Sequence, residues 1–182
     1  MSTPQPEPGG DPRAEKLMKA VLECLCTTLA EAGRAACCCM WRRVDRLLMP
    51  QACDCKCPEG EGVAWARIIE RRYDRQVTRS PGFDGKTCGF KYVEEWGVEV
   101  GVARCWPGGE NGLECEQETA VAADGAWDED LIMQAMLCCK PLEKYAILPV
   151  RATTLGPQGG CIAAVATFIV QPGKRPAGGY GY

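Results

Sequence analysis

The chain contains no histidine in its 182 residues. That absence removes the Ser-His-Asp and Cys-His nucleophile systems, the HExxH zinc helix and the Cys2His2 finger. An excess of positive charge is also missing. With 21 Lys and Arg against 24 Asp and Glu, the formal charge is -3, which gives no general electrostatic grip on nucleic acid or an anionic membrane. There is no Cys-x-x-Cys pair to act as a redox motif. The longest apolar run, Cys161 to Val170, is half the length of a membrane span. The start, Met1 to Pro6, lacks the basic end, apolar stretch and cleavage site of a secretory leader, so synthesis in the cytoplasm is expected.

What is present is a globular composition with 14 cysteines. At 46% hydrophobic and 25% charged residues the chain can bury a core. The length suits one domain, assigned to residues 13–170, between a Pro/Gly-rich lead (1–12) and a Gly/Pro-rich tail (171–182).

The first helix announces itself. Asp11 can cap it, Pro12 fits its first position, Glu15 favours its positive end and Gly33 stops it. Leu17, Met18, Val21, Leu22, Leu25 and Leu29 recur at helical spacing. Met40 to Met49 fits either a short amphipathic helix or an extended arm, and Cys53 to Pro58 reads as loop. From Val63 to Tyr73 the pattern is a strand, with Val63, Trp65, Arg67, Ile69 and Arg71 on one face and Ala64, Ala66, Ile68 and Glu70 on the other. Arg75 to Gly89 is a polar loop.

The strongest strand spans Phe90 to Trp106. Even positions are apolar, interrupted only by Glu94 and Arg104. At this length it would run about 50 Å, so either one end is loop or the strand projects and is covered by a neighbouring molecule. Glu114 to Cys139 is helical, with Gly125 able to split it in two. Tyr145 to Leu155 and Cys161 to Val170 form strands around the turn Gly156-Pro157-Gln158-Gly159-Gly160. The order α-β-β-α-β-β predicts an α+β domain: a largely antiparallel sheet with two main helices on one face.

Four motifs invite chemical readings. Ser80 to Thr87 ends like a phosphate loop, but Ser80 stands where glycine is required and a strand follows in place of a helix. Cys37, Cys38 and Cys39 with Cys53, Cys55 and Cys57 could supply thiolates for zinc, although paired zinc ligands are normally two to four residues apart. Disulfides or buried thiols account for them better, and Cys105, Cys138, Cys139 and Cys161 are further candidates for pairing. Asp128-Glu129-Asp130 is contiguous on a helix, so its carboxylates diverge and a solvated face is expected rather than an acid/base pair. Arg67, Arg71, Arg72, Arg75 and Arg79 form the one basic concentration; Glu70 and Asp74 dilute it, which favours a salt-bridged edge over a DNA-facing patch. No catalytic, cofactor or metal residue is assigned.

Two segments carry a resemblance. Trp96 to Pro107 (WGVEVGVARCWP) resembles the VGVLRCAP strand of a group of actinobacteriophage virion proteins. Leu155 to Cys161 (LGPQGGC) resembles their GPQGGC hairpin, and the Cys138-Cys139 pair also fits. The similarity spans roughly residues 13–170 and departs at Cys53 to Cys57, where this chain has more cysteine and less tryptophan. The resemblance implies a small tail-terminator-like protein that caps the tail tube of a long-tailed phage as a ring, commonly hexameric. Its implied partners are further copies of itself, the tail-tube protein and the head connector or stopper, with genomic DNA passing the lumen and no membrane. A place as stopper in the connector, or a cysteine-rich zinc-binding interaction module, are the alternatives. Tyr92, Trp96, Val98, Val100, Arg104, Trp106, Gly156, Pro157 and Gln158 are the candidate inter-subunit or partner surface. A virion protein made in reducing cytoplasm would pair its cysteines after release.

Overall fold

The computed structural model describes residues 11–41, 62–76, 91–108, 112–158 and 160–172. Its elements are α1 (Pro12–Glu31), β1 (Ala36–Trp41), β2 (Gly62–Gln76), β3 (Lys91–Cys105), α2 (Cys115–Cys138), a 3-10 turn at Lys140–Leu142, β4 (Ala146–Gln158) and β5 (Cys161–Gln171). They form an α+β fold with one five-stranded sheet in the order β1-β2-β3-β5-β4. Only β1 and β2 run parallel; every other pair is antiparallel. The short strand β1 was not foreseen: Met40 and Trp41 belong to it, and residues 42–49 lie outside the described residues, as do the Ser80–Thr87 motif and Cys53, Cys55 and Cys57.

Helix α1 begins as its sequence dictates. The Asp11 carboxylate accepts from the Arg13 backbone N–H at 2.9 Å, and Pro12 occupies the first helical position. It ends in a paired-bond stop around Gly33, which has φ +71°: Gly33 N–H donates to Ala30 and Arg34 N–H donates to Leu29 at 2.8 Å. This turn fixes where Arg34 leaves the helix.

Both helices pack on one face of the sheet. Leu17, Val21 and Leu25 of α1 and Ile132, Ala135 and Met136 of α2 meet Ala64, Ala66, Val98, Val100, Phe168 and Val170 in a single core. The opposite face carries a smaller cluster of Trp65, Ala103, Cys161, Ala163 and Val165. Trp65 lies across Gly101, where a Cβ would overlap its ring.

The expected alternation of β2 holds only to Ile68. Ile68 pairs with Val98 and Glu70 with Gly97, so Ile69 is an extra residue and the strand bulges there. A Cβ at Gly97 would sit 2.7 Å from Glu70 Cγ and 3.1 Å from Ile69 Cγ1, so glycine makes room for the bulge. Beyond it the faces exchange. Arg71, expected beside Trp65, instead pairs with Trp96 on the helix-covered face.

Strand β3 is as long as its alternation implied. It pairs with β5 from Trp96 to Cys105, but from Lys91 to Glu95 its only strand neighbour among the described residues is β2. The ends of β2 and β3 therefore extend past β5 as a two-stranded arm. In β4, an edge strand, Pro149 sits at a register shift, where its missing N–H breaks no ladder.

Helix α2 is unbroken, and Gly125 does not divide it. The residue is buried where the helix approaches β4: a Cβ there would lie 2.8 Å from Thr154 Oγ1 and 3.1 Å from Thr154 Cγ2. Gly125→Ala should therefore destabilise by about 1–2 kcal/mol, although alanine is the better helix former by about 1 kcal/mol. Thr154→Ala should relieve the overlap, so the double variant should be more stable than Gly125→Ala alone in urea unfolding.

Candidate functional site: a buried ion-pair centre and the surfaces around it

The most concentrated polar grouping joins three elements distant in sequence. Asp128, near the middle of α2, is 3% exposed. Arg34 Nε donates to its Oδ1 at 2.8 Å and Arg34 Nη2 to Oδ2 at 3.1 Å. Arg104 Nε donates to Oδ2 at 2.5 Å and Arg104 Nη2 to Oδ1 at 2.8 Å. Two planar forks thus grip one carboxylate bidentately, the geometry in which an Arg–carboxylate pair is strongest. Arg104 also donates to the Arg34 carbonyl at 3.1 Å, and Arg34 reaches Asp124 at 2.9 Å. The Trp127 ring lies 4.8 Å from the Arg34 guanidinium. Among the described residues no buried side-chain polar atom is left without a partner.

Burial by itself would push the Asp128 carboxyl up, but the hydrogen bonds from Arg104 and Arg34 override it and hold it below the usual carboxylate range. Arg34 is raised in turn, first by its bond to Asp128. The centre lines one side of an open cleft of about 220 Å³, together with Val121, Gly125, Pro107 and Ile162. With every oxygen lone-pair direction of Asp128 used by arginine, the grouping is suited to fixing α2 on the sheet rather than to moving protons.

This overturns the solvated-face reading of the acidic triplet. Asp128 is buried in the ion-pair centre, Glu129 accepts from Thr154 Oγ1 at 2.7 Å, and only Asp130 is exposed without a described partner. Carboxylates one residue apart do diverge on a helix, and here one of the three diverges inward.

A second polar cluster ties the arm to the body. Arg13 donates to Glu94 at 2.7 Å and to Asp11 at 2.9 Å, and Arg71 donates to Asp11 at 3.1 Å. The Arg71 and Arg13 guanidiniums stand 4.7 and 5.6 Å from the ring of the fully buried Trp96, whose Nε1 donates to Glu94 at 2.7 Å. The hydrogen bond from the Arg13 side chain, followed by that from its backbone, draws the Asp11 carboxyl down to about 2. The basic stretch of β2 is salt-bridged: Arg67 to Glu99 at 2.6 Å and Arg72 to Glu70 at 2.7 Å.

The expected partner surface divides. Trp96, Val98 and Val100 are fully buried in the core of this subunit, because even positions of β3 face the helices. Arg104 belongs to the ion-pair centre. Trp106 is half-buried, its backbone N–H donating to Gly160 at 2.8 Å, while Gly156 and Pro157 are exposed within a register shift of β4. Tyr92 and Gln158 stand at strand ends, and their side chains lie outside the described residues.

The cysteines also redistribute. Cys24 is bonded to Cys139 and Cys26 to Cys39, so α1 is fastened to the end of α2 and to β1. Cys37, Cys105 and Cys161 are disulfide-bonded as well. Cys38 and Cys138, expected to pair, are free and exposed, as is Cys115. In each case the neighbouring cysteine, Cys39 or Cys139, takes the bond instead. Cys24 and Cys26 sit on different sides of one helix, two residues apart, and went unrecognised because helical periodicity accounts for them as apolar residues. Among the described residues no three His, Cys, Asp or Glu side chains gather as a metal site, and no helix is long and apolar enough to cross a membrane.

Two outcomes check this description. Asp128→Asn should cost about 3 kcal/mol in urea unfolding, since it leaves two enclosed guanidiniums without a counter-charge. Because the folded pKa of Asp128 is lowered, its contribution is complete above the unfolded value and is lost as pH falls through the folded one. The stability gap between wild type and Asp128→Asn should therefore hold at neutral pH and narrow only as the pH falls below the usual carboxylate range of about 4. Separately, alkylation without reductant should modify Cys38, Cys115 and Cys138 and spare Cys24, Cys26, Cys39 and Cys139, as read by peptide mass mapping.

No protein-family model matches the chain. No curated protein matches it either.

Proposed function

We propose that the protein is a structural virion component of a long-tailed bacteriophage, whose subunits form a ring that terminates the tail tube and joins it to the head connector. The observation that carries this reading is the arm. A two-stranded ribbon standing alone is at best marginally stable in water, and this one extends beyond β5 with Arg72 62% and Tyr73 59% exposed on β2. Such a ribbon gains stability by lying on another molecule.

The edges of the sheet point the same way. β1 pairs with β2 only as far as Ala66, so among the described residues the outer side of β2 from Arg67 onward has no strand neighbour. At the other side of the sheet, β4 is an edge with Leu148 56% and Val150 54% exposed. Unpaired edges of this length invite strand addition. Because the two edges differ, copies joined through them meet head to tail, and such contacts close into a ring when the rotation allows. The ring would cap the tube by occupying the surface on which the next tube ring adds, with its other face toward the connector.

Electron microscopy of particles assembled without the protein tests the assignment. Heads accompanied by free tails of irregular length are expected. DNA-leaking heads beside tails of normal length would move the protein to the connector, as a stopper, and overturn the terminator reading.

A further inference from the structure

β1 is the shortest strand of the sheet and has the least to hold it there. It lies at an edge, pairs with β2 alone and in parallel from Ala36 to Trp41, and skips a register position at Cys37. Parallel pairing is slightly weaker per residue than antiparallel, and an edge strand has a ladder on one side only. Apolar burial adds little. Ala36 and Trp41 are half-buried against the main core and Met40 against the smaller cluster, while Cys37, Cys38 and Cys39 between them are exposed.

The Cys26–Cys39 bond supplies what the ladder lacks. It ties the strand to α1, whose Leu17, Val21, Leu25 and Leu29 are fully buried, so a weak element is fastened to a firm one. The other described disulfide, Cys24–Cys139, differs from it in access. Cys24 is 0% exposed and Cys139 half-buried, whereas Cys26 is half-buried and Cys39 exposed. Thiol–disulfide exchange requires a thiolate to reach one of the two sulfurs, so its rate follows access. A reducing dithiol therefore meets Cys26–Cys39 first.

We propose that Cys26–Cys39 is a redox latch that holds β1 on the sheet, and that its reduction by a dithiol releases the strand and opens the outer edge of β2 at Gly62–Ala66. One thiolate of the dithiol attacks Cys39 Sγ, forming a mixed disulfide and expelling the Cys26 thiolate, which takes up a proton. The second thiolate attacks the reductant's own sulfur in that mixed disulfide. The Cys39 thiolate leaves and is protonated, and the dithiol departs as a cyclic disulfide. Two electrons pass to the protein. With β1 free, the open side of β2, which otherwise begins at Arg67, begins at Gly62. In reducing cytoplasm the longer edge is available for pairing, and oxidation after release closes its first part. The latch belongs to the single subunit and operates whether or not copies form a ring.

Hydrogen exchange read by mass spectrometry, on the full chain before and after limited treatment with dithiothreitol, tests it. Alkylation mapping should find Cys26 and Cys39 labelled before Cys24 and Cys139. At that stage exchange should rise by about tenfold or more in residues 36–41 and at the amides of Gly62–Ala66 that point away from β3, while Leu17–Leu25 and β3–β5 keep their protection. Cys37 is disulfide-bonded as well, so Cys26→Ser/Cys39→Ser, which leaves every other bond in place, separates the two attachments. This variant should show the same local rise without reductant. A β1 that stays protected in the variant, or in wild type once Cys26 and Cys39 are labelled, overturns the latch. So does protection lost across α1 and β3 together with β1, because the bond would then hold the whole fold rather than one strand. Cys24–Cys139 opening first would overturn the order of access on which the latch depends.

Discussion

Asp128, held by two arginine forks, is the contact on which the arrangement of this fold turns. Arg34 arrives from the end of α1, Arg104 from the end of β3, and the carboxylate from α2, so three elements separated by long stretches of sequence converge on a single group. Each arrival has a local cause. The left-handed Gly33 ends α1 so that the next residue turns back over the sheet, and the alternation of β3 sends even positions toward the helices. Charge at such a place costs desolvation that apolar packing would not. What it supplies here is register. Apolar side chains allow α2 to slide along its groove with small loss, whereas a carboxylate displaced by one turn would leave two enclosed guanidiniums unpaired. Close beside it, Gly125 lets α2 settle against Thr154, a distance that only a residue without a Cβ permits.

The described disulfides reinforce this placement rather than creating it. Cys24–Cys139 joins the fully buried side of α1 to the residue following α2, and Cys26–Cys39 joins another side of α1 to β1. β1 is short, parallel to β2, largely exposed and at the edge of the sheet, which is the least favourable position for a strand to hold by hydrogen bonds alone. Its link to α1 compensates. Both of these bonds use cysteines of α1, while the ion-pair centre secures the middle of α2.

Much of the architecture was legible where local chemistry decides it. Asp11, Pro12 and Gly33 delimit α1, and the alternation of β3 gives both its length and its buried face. The missed features depend on contacts across the chain. Asp128 looked solvated because nothing local distinguishes it from Glu129 and Asp130; its partners are 94 and 24 residues away. A usable signal was nonetheless present in β3, where Glu94 and Arg104 interrupt an otherwise apolar face. Both point toward the helix layer, and both are answered there, Glu94 by Arg13 and Arg104 by Asp128. The same alternation misassigned Trp96, Val98 and Val100 to a partner surface, since an apolar face does not say whether its cover comes from its own chain. The bulge at Ile69 is invisible to a period-two pattern, which is why Arg71 was placed on the wrong face.

The distribution of unmet requirements gives the molecule its polarity. At one end of the sheet β2 and β3 run on without a third strand among the described residues, the base of this ribbon secured by Asp11, Arg13 and Trp96 and Tyr73 exposed beyond it. At the other end the first turns of a helix lack a packed face and bear acid without base. A chain that had completed its own core would hide both. Here the ion-pair centre and the disulfides stabilise the middle well enough for each end to remain open without unfolding the rest. In the proposed ring each copy would meet one neighbour through one surface and another through a different one, and that is the geometric condition for an assembly that either closes into a ring or continues without limit.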